Sequence, residues 1–342
     1  MGSRQIGVGL IGAGSFGRQL AGGLTDVAGI RLVAVHDADA DVLRRASSEL
    51  AVPMAASLDE LLAYPGVAAV IIATPHATHA PIALQAAAAG HHLFVEKPLA
   101  VTAADASAII AAAAQAGVQL VVGHVTRLLP LVVAALGRID SGTIGQPLAA
   151  WMVRHQPLVR HGWMARREEF GMLLHSPAIH NVDLLLRILG PATRVMAMAA
   201  PPIQGLDYPD IVSILVDHSS GAVGSLGATV SDPLYAPFGT SSARIVGREG
   251  GLAFDVARGT LDIQRTGEPG ETIRLGVAAW GIDAAVRAEL SSFRDAIRGV
   301  APPFVTPADA LAAVAVCEAA DRSITCRQPV DLDDLRHMEP LR

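Results

Sequence analysis

A chain of 342 residues is too long for a single compact core of ordinary size, and 51% apolar against 17% charged residues excludes a disordered or fibrous protein. A formal net charge of -6, with no basic tract carrying interleaved aromatics, excludes a general nucleic-acid surface. The apolar runs are broken before they could span a bilayer, as by His124 and Arg127 within Leu120 to Gly137, and Met1-Gly2-Ser3 has no lipidation signal, so a cytoplasmic location without membrane contact is expected.

The first third alternates short apolar runs with helical periods. Strands are predicted at Ile6 to Ile11, Arg31 to Val35, Ala68 to Ala73, His92 to Val95 and Leu120 to Val122. Helices are predicted at Phe16 to Val27, Asp41 to Leu50, Leu58 to Ala63, His79 to Ala89 and Ala103 to Gln115. Near-continuous apolar strands separated by helices describe a parallel sheet covered on both faces.

Gly12-Ala13-Gly14-Ser15-Phe16-Gly17 follows the first strand and opens the first helix. In that context the glycines allow a tight turn and close approach of backbone to a pyrophosphate, whose charge meets the helix N-terminus. Asp37 ends the next strand twenty residues after Gly17, where a carboxylate can accept both ribose hydroxyls. The pair predicts a dinucleotide-binding Rossmann domain over residues 1–124. A carboxylate there repels a 2′-phosphate, and the nearest downstream arginines, Arg44 and Arg45, already lie on the following helix, so NAD is favoured over NADP.

One compositional feature singles out a residue before any motif does. Among 26 basic residues Lys97 is the sole lysine; every other one is arginine. Arginine stays protonated at all relevant pH, whereas a partly buried lysine can exchange a proton with a substrate.

After residue 124 the rhythm changes. A strand near Leu148 to Arg154 and a helix near Ser176 to Leu189 precede strands at Arg194 to Ala199, Ile211 to Asp217, Ala222 to Val230, Ala243 to Gly247, Leu252 to Val256 and Thr260 to Arg265. Ser219-Ser220-Gly221, Gly250-Gly251 and Arg258-Gly259 are the turn signals between them. Helices at Ala284 to Arg298 and Ala308 to Thr325 close the chain. The expected fold class is an α/β Rossmann domain followed, over residues 125–342, by an α+β domain with a large open, mostly antiparallel sheet, its C-terminal helix packing back on the first domain. Cys317 and Cys326, nine residues apart, have no metal or redox spacing and are expected to be buried thiols.

Ala73-Thr74-Pro75-His76-Ala77-Thr78-His79 closes the third long strand of the first domain and Glu96-Lys97-Pro98 the fourth, at the same edge. With the nucleotide fingerprint, these motifs resemble the Gfo/Idh/MocA oxidoreductases. Val122-Gly123-His124 through Arg127 and Pro130 resembles that family's domain-crossing segment, and Gly171 through Gly190 its substrate helix. The resemblance implies NAD-dependent hydride transfer to or from a secondary alcohol such as a sugar, inositol, uronate or related cyclic polyol. It also implies a homodimer or homotetramer built through the open sheet.

Carried over, Lys97 and His180 match the family's catalytic lysine and substrate-helix histidine. Gly12, Gly14, Ser15, Phe16, Gly17, Asp37, Thr74, Pro75, His76, His79, Glu96 and Lys97 form the cofactor set. Ser176, His175, Arg127 and Trp163 form the substrate set. The chain departs from the pattern at Ser176, where the family has Asp four residues before the histidine, and at Ala178, often glycine. Ser176 would still share a helical face with His180 if the helix began there. The departure leaves three readings: His180 accepts the proton without a carboxylate partner, His175 takes part of the role, or the chain has left dehydrogenase chemistry.

Arg154-His155, Arg160-His161 and Arg166-Arg167 place six cationic candidates before that helix and suggest an anionic small-molecule substrate; a solvated loop face explains them equally. Dehydrogenation of an aromatic-acid catabolite, and cleavage of a glycoside by transient oxidation, are the alternative chemistries. A non-catalytic dinucleotide sensor is disfavoured by retention of Lys97. His76 with His79, and His175 with His180, lack a third ligand, so no metal is expected.

Overall fold

The computed structural model describes residues 5–156, 162–171, 173–202, 206–231, 240–275 and 281–334. Its contacts divide the chain into two compact units. The first comprises Met1–Ala100, Ala104–His124 and Asp283–Leu311, and the second Val101–Ala103, Val125–Ile282 and Ala312–Arg342.

The first unit runs β1 (Ile6–Ile11), α1 (Ser15–Leu24), β2 (Ile30–His36), α2 (Ala40–Leu50), α3 (Leu58–Leu62), β3 (Ala69–Ile72), α4 (His79–Ala88), β4 (His92–Glu96), α5 (Ala103–Ala116) and β5 (Leu120–Gly123). All five strands are parallel in the order β2-β1-β3-β4-β5. Every residue of β3 and β5 is buried, as expected for a sheet with helices on both faces. Asp39 and Ser57 cap α2 and α3 by accepting backbone N–H bonds.

The second unit adds α6 (Pro130–Asp140), β6 (Pro147–His155), α7 (Arg167–Phe170), α8 (Ile179–Leu189), β7 (Ala192–Ala199), β8 (Ile211–His218), β9 (Val223–Thr229), β10 (Thr240–Gly247), β11 (Gly250–Asp255), β12 (Thr260–Arg265) and β13 (Glu271–Arg274). The chain then forms α9 (Ile282–Ile297), nearly all in the first unit, α10 (Pro307–Cys326) and β14 (Val330–Asp331). The nine-stranded sheet has the order β13-β12-β11-β10-β6-β9-β8-β7-β14 and is antiparallel except where β6 meets β9. The helix α8 lies against β6 and β9, and α6 against β11 and β12. Buried and exposed residues alternate along β8, so one of its faces is exposed among the described residues. Among the described residues no helix is long and apolar enough to cross a membrane.

Four local expectations need correction. The helix α8 begins at Ile179, not Ser176, because Pro177 lacks an N–H and disfavours helical backbone at the residue before it. Ser176 therefore sits in a turn, its N–H donating to the Leu173 carbonyl, and the four-residue helical spacing to His180 does not apply. The Gly250-Gly251 pair lies inside β11, and the hairpin turns at Arg248-Glu249. Cys326 is exposed at the last residue of α10, whereas Cys317 is buried with its thiol donating to the Leu174 carbonyl. The helix α6, opened by Pro130, and the edge strands β13 and β14 were not expected.

Candidate active site

The dinucleotide cradle is built at the C-terminal edge of the parallel sheet. Gly12 has φ +88°, and a Cβ there would lie 2.5 Å from the Ala73 carbonyl oxygen. A Cβ on Gly17 would come within 2.0 Å of the Gly12 carbonyl oxygen, so helix and strand pack closely only with glycine. Gly14 faces open space and is the N-cap of α1, with no side chain bonded to the first-turn amides. The free N–H groups at Ser15 to Gly17 therefore suit an anionic diphosphate. Asp37 is tied to this loop: one carboxylate oxygen accepts the Ala13 N–H at 2.7 Å and the other the Asp39 N–H at 2.9 Å. Each oxygen keeps a lone pair for a ribose hydroxyl. The residues present thus fit a dinucleotide, with Gly12 to Gly17 at its phosphates and Asp37 at its ribose.

A second pair of loops lies along the same edge. The Thr78 hydroxyl is 2.8 Å from that of Thr74 and 2.7 Å from the Pro75 carbonyl oxygen. His79 is fully buried, and its ring nitrogens face the Pro98 carbonyl at 2.8 Å and the Thr74 carbonyl at 3.0 Å. Burial pushes its pKa down, against the pull of those carbonyls and with the push of Lys97; a neutral ring donates to one of the two carbonyls and packs against the other, lying between the Thr74 and Pro98 loops. His76, also buried, meets His79 edge-on at 5.7 Å. Lys97 is half-buried and precedes Pro98 through a cis peptide bond. Its backbone N–H donates to Glu96 Oε2 at 3.2 Å. Burial raises the Glu96 carboxyl to about 7, although Lys97 and its amide pull it down. All twelve residues of the expected cofactor set lie in the first unit.

In the second unit His175, Ser176 and His180 are buried around the start of α8. Burial pushes His175 down to about 4, against a bond to the Val101 backbone, leaving it neutral and weakly basic. Arg127 is held by Asp183 of α8 through Nε at 2.7 Å and Nη2 at 2.6 Å, a buried fork that fastens the chain after β5 to the helix. Trp163 is half-buried against Phe170 at 5.7 Å, and Phe170 stacks on Tyr208 at 5.4 Å. The Tyr208 hydroxyl donates to the Met164 carbonyl.

The six cationic candidates separate sharply. Arg160 and His161 lie outside the described residues, Arg166 pairs with Glu169, and Arg167 pairs with Asp321 at 2.7 Å. Arg154 is different. It is buried on the face of β6 that α8 covers, and its Nη2 donates to Gln156, but Nε and Nη1 have no partner among the described residues. Burial alone lowers it to about 10, so it remains a cation. Nearby, Asn181 donates to Ser241 Oγ at 3.1 Å, and Ser241 stands opposite Arg154 in the β6–β10 register. Among the described residues no group of three or more His, Cys, Asp or Glu could hold a metal.

Sequence reasoning passed over Asp183, whose signal was a carboxylate three residues after His180 on the same helix, and Glu289, which had none.

Two family models cover most of the chain. One, described as an oxidoreductase family with an NAD-binding Rossmann fold, matches residues 6–124, and the GFO/IDH/MocA C-terminal domain matches residues 132–253. The chain belongs to the Gfo/Idh/MocA family. It is 30% identical over 256 residues to D-apiose dehydrogenase of Paraburkholderia graminis, covering 74% of this chain and 66% of that one, just under two thirds. It is 29% identical over 350 residues to inositol 2-dehydrogenase 1 of Saccharopolyspora erythraea, covering 96% of each. The fold matches levoglucosan dehydrogenase in complex with NADH and levoglucosan, with a TM-score of 0.88 at 23% identity, over 96% of this chain and 100% of that one. This family member is an NAD-dependent dehydrogenase, the cofactor for which its glycine cradle is shaped.

Proposed function

We propose that the chain oxidises a secondary alcohol of a sugar, inositol, uronate or related cyclic polyol, or runs the reverse reduction, with Lys97 and His180 handling the hydroxyl proton. The observation that carries this reading is the half-buried Lys97, the chain's sole lysine, set at the edge of the sheet that forms the dinucleotide cradle. NAD supplies the hydride acceptor. His180 or a neutral Lys97 takes the hydroxyl proton, a protonated Lys97 polarises the developing carbonyl, and Ser176 offers a hydroxyl in place of the family carboxylate. His79 and Glu96 act through the loops they brace rather than on the substrate.

Among the described residues Arg154 has no carboxylate partner, and this supports an acidic substrate among these classes, because a buried guanidinium without a counter-ion is costly. Assembly through the open sheet is supported by the exposed apolar side chains Trp151, Leu215, Val223 and Met198 on its strands.

The test is a panel of polyols, uronates and cyclic diols assayed for NADH formation, repeated with Lys97→Arg and Arg154→Gln. Lys97→Arg is expected to lose about 10²-fold or more in turnover while keeping its NAD affinity; retention of more than a third of the wild-type rate rejects the role of Lys97. Arg154→Gln is expected to lose kcat/KM on uronates and keep it on neutral sugars, and equal losses on both reject the acidic preference.

A further inference from the structure

Beneath Lys97 the first unit buries two carboxyl groups for which no described residue supplies a counter-ion other than Lys97 itself. Glu96 ends β4 directly before the lysine, and Glu289 lies on α9. The Phe94 and Phe293 rings meet edge-on at 5.6 Å and set the register between these elements. Glu96 follows Phe94 by two residues and so shares its face of the strand, while Glu289 precedes Phe293 by four and shares its face of the helix. The two carboxyls therefore share one buried region, near enough for the Glu96 charge to bear on Glu289. Glu289 is 0% exposed and Glu96 is 6% exposed. Glu96 Oε1 and both Glu289 oxygens have no hydrogen-bond partner, whereas Glu96 Oε2 accepts the Lys97 amide. On the other side Gly123 of β5, opposite Glu96 in the register, leaves room for the acid: a Cβ there would lie 2.4 Å from Oε1.

Two adjacent carboxylates cannot both ionise in such a place. We propose that Glu289 keeps its proton and donates it to Glu96, making the two a dyad with at most one negative charge that sets the charge state of Lys97, so that Glu289 is a positioning residue acting through Glu96. Burial raises both acids, and Glu289 also meets the Glu96 charge. Among the described residues of the first unit the other buried titratable groups are His76, His79, His91 and His124, and burial lowers His79 and His91. The proton count is simple. Below about 7 the dyad carries two protons and no charge; above it Glu96 releases one to solvent, Glu289 retains the other, and the single negative charge bears on Lys97.

This inference rests on the proton-handling role proposed for Lys97, and its test separates the two. Infrared difference spectra of the NAD-bound full chain read protonated carboxyls directly, by comparing wild type with Glu289→Gln, Glu289→Leu and Glu96→Gln. Two acid bands assigned to the dyad are expected near pH 5.5 and one near pH 8.5. Glu289→Gln should remove the band that persists at high pH and, because its amide still donates to Glu96, leave the midpoint of the other near 7. Glu289→Leu removes the donor and should move that midpoint up by about one pH unit or more. On a substrate that turns over, the neutral limb of the kcat/KM profile should follow the same order, with Gln rescuing what Leu shifts.

Absence of a dyad band at pH 8.5 overturns the proposal, as does an equal midpoint for Gln and Leu. If no panel alcohol yields NADH, the reading of Lys97 as a dehydrogenase residue falls while the spectra still decide the dyad. If the bands behave as expected but the kcat/KM limb is the same in wild type, Gln and Leu, control of Lys97 by the dyad is overturned.

Discussion

The two units bury charge differently around their central sheets. In the first, the parallel sheet is covered on both faces, its strand residues are almost all buried, and the charge held inside is a pair of carboxyls next to one lysine. In the second, α8 covers one face of β6 and β9, and the interior beside it holds two cations, Arg127 matched by Asp183 and Arg154 unmatched among the described residues. The lesson is that a buried ion pair fixes geometry, whereas a buried group without a partner marks where a proton or a ligand is required.

The largest expected effect strikes the matched pair. Asp183→Leu leaves Arg127 charged and buried, and about 3–5 kcal/mol of stability should be lost, read from urea unfolding. Replacing both partners with apolar residues, Arg127→Met with Asp183→Leu, should recover most of it. A single-variant loss below about 1 kcal/mol would make this bridge no stronger than a surface pair.

Next comes the pH dependence of the acidic pair. Glu96 rises from an ordinary 4.5 to about 7 on folding, so its contribution is fully present below about 4.5 and is lost as the pH climbs through about 7. Buried His79 and His175 are lowered, and their contribution runs the other way, present above about 6.5 and lost as the pH falls. The thermal midpoint of wild type relative to Glu96→Gln/Glu289→Gln isolates the acids: wild type should lose ground to the double variant between about pH 5 and pH 8. A constant difference across that range would mean the carboxyls do not titrate there.

The open face of the second unit is tested by Trp151→Glu, at a side chain 52% exposed on β6. If the sheet is an interface, loss of this aromatic should weaken association by about 2 kcal/mol or more, seen as a fall in mass by light scattering on dilution. An unchanged mass in both proteins removes that face from the assembly. The smallest effect is expected at Asp37→Ala, which should raise the NAD Michaelis constant by about tenfold and narrow the preference over NADP. Because Asp37 also accepts the Ala13 amide, Asp37→Asn should recover part of the loss.

What the sequence determined by itself is whatever depends on neighbours along the chain. The turn at Gly12, the strand ends that present Asp37, Thr74 and Lys97, and all five parallel strands are legible because local backbone geometry and unbroken apolar runs leave the chain few choices. The singular lysine needed no structure at all. Legibility failed where a residue's role depends on partners remote in sequence. Ser176 looked helical by spacing until Pro177 set the start of α8 at Ile179. Glu289 carried no motif, and only the packing of α9 on β4 brings it beside Glu96, nearly two hundred residues earlier. Arg127 read as a substrate contact, yet a carboxylate fifty-six residues on takes two of its nitrogens. Arg154 was one cation among six until burial removed its solvent without supplying a counter-charge. Desolvation and pairing are properties of the packed chain, because both depend on which distant groups exclude water from an atom, and no local pattern encodes that.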